Sequence, residues 1–250
     1  EKSTICINLI GILYEKKKNQ FNLIHTELPS LLSSVASKKS IDQFIHISAL
    51  GIEAATESKY ASSKLNGEKK VRQNFPRSVV LKPSIVYSVD DNFTTKFMSL
   101  LSILPVMPLY YGGKTKFKPI HVSDLTEIIF QIIKKKIYSE TIECIGPEVF
   151  TFKDILLKIL KSMKKKRMLF PLPFALAKIN ARLFQLMPKP LLTIDQLKLL
   201  KYDNINSKKY KTNFDIKINA NKKFDEEINR YSFNWTSGGQ FSKKIIDKKN

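Results

Sequence analysis

Three short, β-branched apolar runs alternate with two stretches of helical periodicity in residues 3–86. Their order, strand–helix–strand–helix–strand, predicts an α/β fold: a doubly wound parallel sheet with helices on both faces. The strand bodies are apolar at successive positions rather than alternating, as expected of strands covered on both sides. Beyond residue 90 the helical pattern dominates, which predicts a smaller, mostly helical C-terminal part. The division expected is 1–133 for the sheet domain and 134–250 for a substrate- or partner-facing part with a polar tail.

Each element has its own warrant. Residues 3–11 (STICINLIG) form a bounded apolar run ended by Gly11 and read as a buried strand. Residues 21–39 carry Leu28, Leu31, Leu32, Val35 and Ala36 at near-helical spacing. Residues 43–48 (QFIHIS) are a second buried strand, and 78–86 (SVVLKPSIV) a third, interrupted at Pro83. Between them, 60–74 is helical, with Tyr60, Lys64, Leu65, Glu68 and Val71 on one face. An apolar helix is expected at 93–104, a loop rich in Pro and Gly at 105–113, and a short strand at 118–122. Ser123 and Asp124 offer N-caps for a helix to about Ile133. Thr151 and Asp154 nearly spell a capping box for an amphipathic helix at 151–162. A further helix is expected at 169–187, and a polar, partly disordered tail over the last thirty-odd residues.

The chain has 250 residues and a formal net charge of +21. Of its 43 basic residues only five are arginine, and Asn and Ile are plentiful while Gly is scarce at eight. Lys, Asn and Ile are the residues of AT-rich codons, so genome bias accounts for most of the charge. A nucleic-acid binder leans more on the bidentate fork of Arg, and no nucleic-acid partner is expected. The charge is uneven, however: net +6 over residues 1–133 and +15 over 134–250. Codon bias acts on both parts alike, so this excess points to a basic surface facing a partner or an anionic membrane. Two cysteines and three scattered histidines give a metal site little to work with. No apolar run approaches the roughly 18 residues of a membrane span.

Ligands of open α/β sheets sit at the carboxyl ends of the strands. There the chain places Gly11, then Ser48, and twelve residues later Tyr60 followed by Lys64. The Tyr-x-x-x-Lys spacing puts both side chains on one helix face, one turn apart. A neighbouring ammonium stabilises a phenolate and lowers a tyrosine pKa that is ordinarily about 10. A serine hydroxyl can hold the oxygen of a carbonyl or alcohol during proton transfer. Such a set, Ser48, Tyr60 and Lys64, suits hydride transfer to or from a nicotinamide.

These residues carry a resemblance. The stretches CINLIGILYE (6–15), FIHISALG (44–51), YASSKLNGEKKVRQNFP (60–76), VVLKPSIVYSVDDNF (79–93), KPIHVSDLTEII (118–129), IGPEVFTFKDIL (145–156), LTIDQLKLLKYDN (192–204) and GGQF (238–241) follow one another in the family's order. They resemble the extended and atypical short-chain dehydrogenase/reductases, the NAD-dependent epimerase/dehydratase superfamily with its Rossmann-like sheet. More narrowly, they resemble the branch containing the NAD(P)-binding accessory subunit of respiratory NADH:ubiquinone oxidoreductase. Segments 192–204 and 238–241 are the more particular to that branch. The resemblance implies NAD or NADP as cofactor. It makes Ser48, Tyr60 and Lys64 the superfamily's catalytic positions, with Lys64 also on the nicotinamide ribose. It lays Asn8, Leu9, Ile10 and Gly11 along the cofactor's ribose and adenine side, with Ile47 and Ser48 beside them. It sets Pro83, Ser84, Ile85 and Val86 against the carboxamide. Asp124 falls in a Val-x-Asp motif whose role is structural more often than catalytic. His46 and His121 read as packed core histidines, and His25 is unassigned.

One departure is large. The superfamily's Gly-x-x-Gly-x-x-Gly phosphate loop is absent from these 250 residues. The first strands and that loop are expected to lie upstream of an N-terminally truncated chain, which by itself would bind NAD(P)H poorly. Two functions stay open. One is an accessory or assembly subunit of the respiratory complex with a structural cofactor, cytoplasmic or peripheral on the inner face of an energy-transducing membrane. The other is an active reductase, sterol-dehydrogenase-like enzyme or sugar-nucleotide epimerase/dehydratase using Tyr60 as acid/base.

Overall fold

The computed structural model describes residues 4–173, 190 and 192–241. The first strand, β1 (Ile5–Asn8), leads to a continuous helical run. That run comprises α1 (Gln20–Asn22), a π-turn at Leu23–Glu27 and α2 (Leu28–Lys38). There follow β2 (Gln43–Ile47), α3 (Lys59–Asn74), β3 (Val79–Pro83), β4 (Val86–Tyr87), α4 (Thr94–Ile103) and β5 (Val106–Tyr110). Next come β6 (Lys116–Phe117), β7 (Ile120–His121), α5 (Val122–Lys134), β8 (Thr141–Cys144), β9 (Phe150–Thr151), α6 (Phe152–Ser162) and β10 (Met168–Leu172). The described chain closes with α7 (Ile194–Leu199), β11 (Lys211–Thr212), α8 (Phe224–Asn229) and a tight turn at Ser232–Trp235.

The central sheet has the order β1-β2-β3-β8-β11, and every pairing in it is parallel. The register sets Asn8 beside His46 and Ile47 beside Leu81, so the strands end level with one another. Alternation along β2 sends Phe44 to one face, where it packs with Ala36, Val71 and Phe75 of the α2 and α3 layer. Ile45 goes to the other face, into a cluster with Val79, Leu81, Ile128, Ile132 and Ile142 beneath α5. The doubly wound α/β expectation is thus met. Two strands from beyond residue 133, β8 and β11, complete this same sheet.

A second core holds the rest. Met98 and Leu101 of α4, Ile155, Leu156 and Ile159 of α6, and Phe224, Ile228, Tyr231 and Trp235 bury one another. This corrects the expectation of a partly disordered tail for residues 224–235 alone. Phe224, Ile228, Tyr231 and Trp235 recur at helical spacing and form an apolar stripe that must be covered. The tail beyond residue 241 lies outside the described residues. A second correction concerns 169–187. Its start, Met168–Leu172, is a strand paired in parallel with β5, because Pro171 and Pro173 interrupt helical hydrogen bonding while an edge strand tolerates Pro. The same pairing turns the loop expected at 105–113 into β5 and a short turn. Residues 174–189 lie outside the description. The N-cap of α5 is His121, whose side chain accepts from the Ser123 N–H, with Asp124 buried in the first turn.

The underside of α3 is polar, and the sheet answers it. Lys82, fully buried on the central strand β3, pairs with Glu68 of α3 at 2.7 Å and with Glu53 at 2.6 Å. Burial pulls the Lys82 ammonium down, but the charges of Glu68 and Glu53 outweigh it and hold it above its ordinary range. Arg72 of α3 donates to the carbonyl of Ser78 and, at 2.5 Å, to that of Glu140. Removing one partner of a buried pair strands the other. Lys82→Met is therefore expected to cost about 3 kcal/mol in urea denaturation, and Lys82→Met with Glu68→Met to recover part of that loss.

Candidate functional site

The carboxyl ends of β1, β2 and β3 open on one side of the molecule, and the residues singled out by sequence gather there. Asn8 ends β1 by folding its side chain back: Oδ1 accepts the Ile10 N–H at 3.1 Å, a local turn that competes with the strand ladder. Its Nδ2 donates to His46 Nδ1 at 3.1 Å, which leaves the His46 proton on Nε2. That Nε2 is buried without a protein partner. Beyond the turn, Leu9, Ile10 and Gly11 are exposed, Leu9 by 66%. Among the described residues no strand pairs with the outer side of β1.

A histidine left unassigned by sequence organises the centre. His25 projects inward from the π-turn, and its backbone carbonyl lies where a Cβ on Gly67 of α3 would stand, 1.8 Å away. Only glycine permits that crossing. The Ile12 N–H can only donate, so His25 Nε2 is the acceptor at 3.1 Å and the imidazole is neutral. His25 Nδ1–H then donates to Ser63 Oγ at 2.9 Å, and Ser63 Oγ–H donates to the Tyr60 carbonyl at 2.8 Å. One directed chain joins the loop after β1 to the helix that carries Tyr60. The Phe21 ring stacks on His25 at 5.3 Å, and both Phe21 and His25 meet the Tyr60 ring edge-on, at 5.9 and 5.2 Å.

Lys64 lies buried one turn along α3, and its Nζ donates to the Ile47 carbonyl at 3.1 Å. Gly11 lets it fit, since a Cβ there would stand 3.3 Å from Lys64 Nζ and 3.8 Å from His25 Nε2. Burial lowers Lys64 to about 8, against the opposing pull of Glu68. Burial, reinforced by the Lys64 charge, holds His25 and His46 at about 3. Tyr60 departs from the sequence expectation. Burial raises its phenol to about 12, and the rings of Phe21 and His25 lie edge-on against it.

The remaining predicted residues divide. Ser48 is buried, and its hydroxyl donates to Glu68, the carboxylate that also pairs with Lys82. Pro83 and Ser84 are buried at the end of β3. Ser84 Oγ donates to Asn204 Oδ1 at 2.6 Å. The Ile85 carbonyl accepts from Ile120, and Val86 starts the β4–β7 pair. Asn8, Gly11, Ile47, Tyr60 and Lys64 thus gather at the carboxyl end of the sheet through contacts with His25, His46 and one another, while the hydroxyls of Ser48 and Ser84 are taken up by Glu68 and Asn204. Sequence reasoning missed His25 and Ser63. The Tyr60-x-x-Ser63 spacing places Ser63 within reach of the Tyr60 carbonyl, but nothing local ties His25 to it. Among the described residues no group of three or more His, Cys, Asp or Glu is arranged to hold a metal ion.

With that geometry in place, the chain can be set beside known proteins. No family model matches it. It is 27% identical over 218 residues to the NADH-ubiquinone oxidoreductase 40 kDa subunit of Neurospora crassa, covering 86% of this chain and 57% of that protein. It is 26% identical over 207 residues to the mouse NADH dehydrogenase [ubiquinone] 1 alpha subcomplex subunit 9, covering 82% of this chain and 55% of that one. Its Dictyostelium discoideum counterpart is 30% identical over 159 residues, covering 62% and 43%. The chain spans about half the length of the curated relatives it matches. Among solved structures, UDP-glucuronic acid 4-epimerase from Bacillus cereus, in complex with UDP-glucuronic acid and NAD, superposes with a TM-score of 0.63. That match has 16% identity and covers 92% of this chain and 75% of the other. The dTDP-glucose 4,6-dehydratase from Bacillus anthracis, in complex with NAD, gives 0.64 at 15% identity, covering 93% and 72%. As the resemblance read from the sequence expects, these relatives are named as subunits of NADH-ubiquinone oxidoreductase or NADH dehydrogenase, and the fold is the Rossmann-like one of the epimerase and dehydratase structures.

The two buried histidines make stability depend on pH with a definite sign. Each binds a proton near 6.5 in the unfolded chain but only near 3 when folded. Between those values the unfolded chain holds more protons, so stability falls as pH drops through the window. Carboxylates join in lower down, so the clean range is pH 6.5 to 5. There, urea denaturation is expected to show wild type losing stability steadily, and His46→Gln a flatter dependence.

Proposed function

We propose that this chain is the dinucleotide-cradling part of an accessory subunit of respiratory NADH:ubiquinone oxidoreductase, in which NAD or NADP is held as a structural group. The relatives' names support the assembly. The observation that carries the structural reading over turnover is the engagement of all three catalytic-type residues. Ser48 hydrogen-bonds Glu68, Lys64 donates to Ile47, and the half-buried Tyr60 ring packs edge-on against Phe21 and His25, its phenol raised to about 12. A phenol that far above neutral pH is a poor general base, and Ser48 Oγ is not offered to a substrate.

The residues present fit the nicotinamide-ribose half of such a cofactor. Lys64 uses Ile47 as one acceptor and keeps further N–H donors. Gly11 keeps the backbone clear beside it, where a side chain would crowd the ammonium. Exposed Leu9 and Ile10 offer an apolar ledge for a base. When bound, a nicotinamide supplies hydride chemistry; the chain's part is to hold the ribose through Lys64. The assembly reading is checked on native membranes. The subunit is expected to co-migrate with the respiratory complex, and Tyr60→Phe to leave quinone reduction unchanged. Gly11→Ala should lower the dinucleotide retained, by displacing Lys64. A soluble pool whose turnover vanishes with Tyr60→Phe would instead establish the reductase reading.

On that reading the protein would lie at the inner face of an energy-transducing membrane, and one surface supports a peripheral contact there. Residues in register on the β5–β10 pair share a face, and Val106, Met168 and Phe170 stand exposed on it, with Ile103 nearby at 69%. Lys161, Lys164 and Lys166 lie exposed on the adjoining segment, whereas Arg167 is engaged with the carbonyls of Leu101 and Ser102 at the end of α4. Apolar side chains beside free ammonium groups complement an anionic lipid surface. Among the described residues no helix is long and apolar enough to cross a membrane. Co-sedimentation is expected with vesicles holding about one third anionic lipid and not with neutral ones, weakening roughly tenfold for Lys164→Glu with Lys166→Glu. Equal pelleting with both vesicle types would exclude it.

A further inference from the structure

Helix α3 carries Tyr60 and Lys64, yet it has no acidic residue of its own in its first turn. That turn is held by a side chain from far along the chain. Asp195 Oδ1 accepts the Lys59 N–H at 2.8 Å, and Oδ2 accepts the Tyr60 N–H at 3.0 Å. Oδ2 also accepts Ser58 Oγ–H at 2.7 Å, while Ser58 Oγ takes the Ala61 N–H at 3.2 Å. The first three amides of α3 are therefore all satisfied, two of them by one carboxylate placed where the helix dipole favours negative charge.

Asp195 is itself fixed. It lies in the first turn of α7, whose start is locked by a capping box between Thr193 and Gln196. Gln196 Nε2 then donates to the Leu13 carbonyl at 3.3 Å, in the loop after β1. Downstream, Lys198 Nζ donates to the Glu57 carbonyl at 2.9 Å and Tyr202 OH to Glu57 Oε1 at 2.8 Å. Asn204 Nδ2 donates to the Leu50 carbonyl at 2.7 Å and its Oδ1 accepts from Ser84. Leu199 and Tyr202 pack with Tyr60 against the small cluster of Ile52, Ala55 and Ala61. Residues 193–204 are thus a strap that touches the loops after β1, β2 and β3, the three strand ends around the proposed dinucleotide site.

We infer that Asp195 is a positioning residue for the Tyr60–Lys64 helix, and that through it dinucleotide binding depends on the docking of the 193–204 strap. The inference rests on the dinucleotide reading given above. The strap and the cofactor would meet the same loops, so each must stabilise the other's docked state by the same factor. Nothing in this needs Asp195 to touch the cofactor.

The test uses the full-length protein, titrated with NADH and with NADPH by calorimetry and followed by hydrogen exchange. Wild type should bind, and the dinucleotide should slow exchange across residues 193–204 as well as at the start of α3. Asp195→Ala should weaken binding roughly fivefold to tenfold, the scale of a lost charged cap, and speed exchange at residues 59–61. Asp195→Asn, which keeps an acceptor oxygen, should fall between the two and serves if the alanine variant does not fold. Ile132→Val trims the core beneath α5, on the other face of the sheet and beside Gln43 at the amino end of β2, and should lower the melting temperature without changing affinity. If Ile132→Val weakens binding as much as Asp195→Ala at matched stability, the effect is general destabilisation and the inference falls. It falls too if both Asp195 variants bind like wild type. Failure of the wild-type protein to bind either dinucleotide overturns the dinucleotide reading itself, and the inference with it.

Discussion

Everything at this site hangs on the polar seam beneath α3. A helix packed on a parallel sheet normally buries an apolar stripe, but this one turns Lys64 and Glu68 inward and keeps Arg72 half-buried against the sheet's carbonyls. Burying charges costs several kcal/mol each unless they are paired. The sheet supplies the pairing from fixed positions: Lys82 and Ser48 for Glu68, the Ile47 carbonyl for Lys64, and the carbonyls of Ser78 and Glu140 for Arg72. Apolar packing tolerates a slide of an ångström or two, whereas this seam is satisfied in one register only. The helix is thereby indexed to the strand ends, and Tyr60 is carried to its place by contacts made one to three turns away.

The seam also explains why the Ser48 hydroxyl is bonded to Glu68. Alternation along β2 puts Phe44, His46 and Ser48 on the face under α3. A hydroxyl there meets Glu68 before it meets the cleft. The chain retains the residue types of an acid/base site, yet it connects them to the framework: serine to the seam, lysine to a strand carbonyl, tyrosine to an aromatic and imidazole wall.

The sequence shows these features unevenly, and the physics says why. The parallel sheet was legible because apolar runs such as those around Ile45 and Val79 need cover on both faces, a property of each segment alone. The amphipathic helix at 152–162 and its capping box were legible for the same reason. The strand at 168–172 was not, since its status depends on a partner at 106–110 and its prolines speak only against a helix. Of the site, Tyr60 and Lys64 were legible by their spacing. His25 and Asp195 were not, because each acts on a loop or helix distant in sequence and neither stands in a local pattern. The pKa of Tyr60 was misread for a related reason: spacing places Lys64 near it but says nothing of its burial, which dominates.

The directed chain through His25 bears on what such a framework can do. Ile12 N–H, His25, Ser63 and the Tyr60 carbonyl are linked donor to acceptor with a single sense. Protonating His25 would remove the acceptor for Ile12 and place a second cation beside Lys64, so the imidazole is locked neutral by its neighbours. A neutral, fully engaged histidine beside an enclosed phenol does not supply a titratable relay near neutral pH. It supplies rigidity, tying the loop at Gly11 to the helix at Tyr60. Rigid loops lower the ordering cost of holding a ligand without accelerating its chemistry. On the reading proposed above, a site wired in this way would keep a dinucleotide in place as part of an assembly.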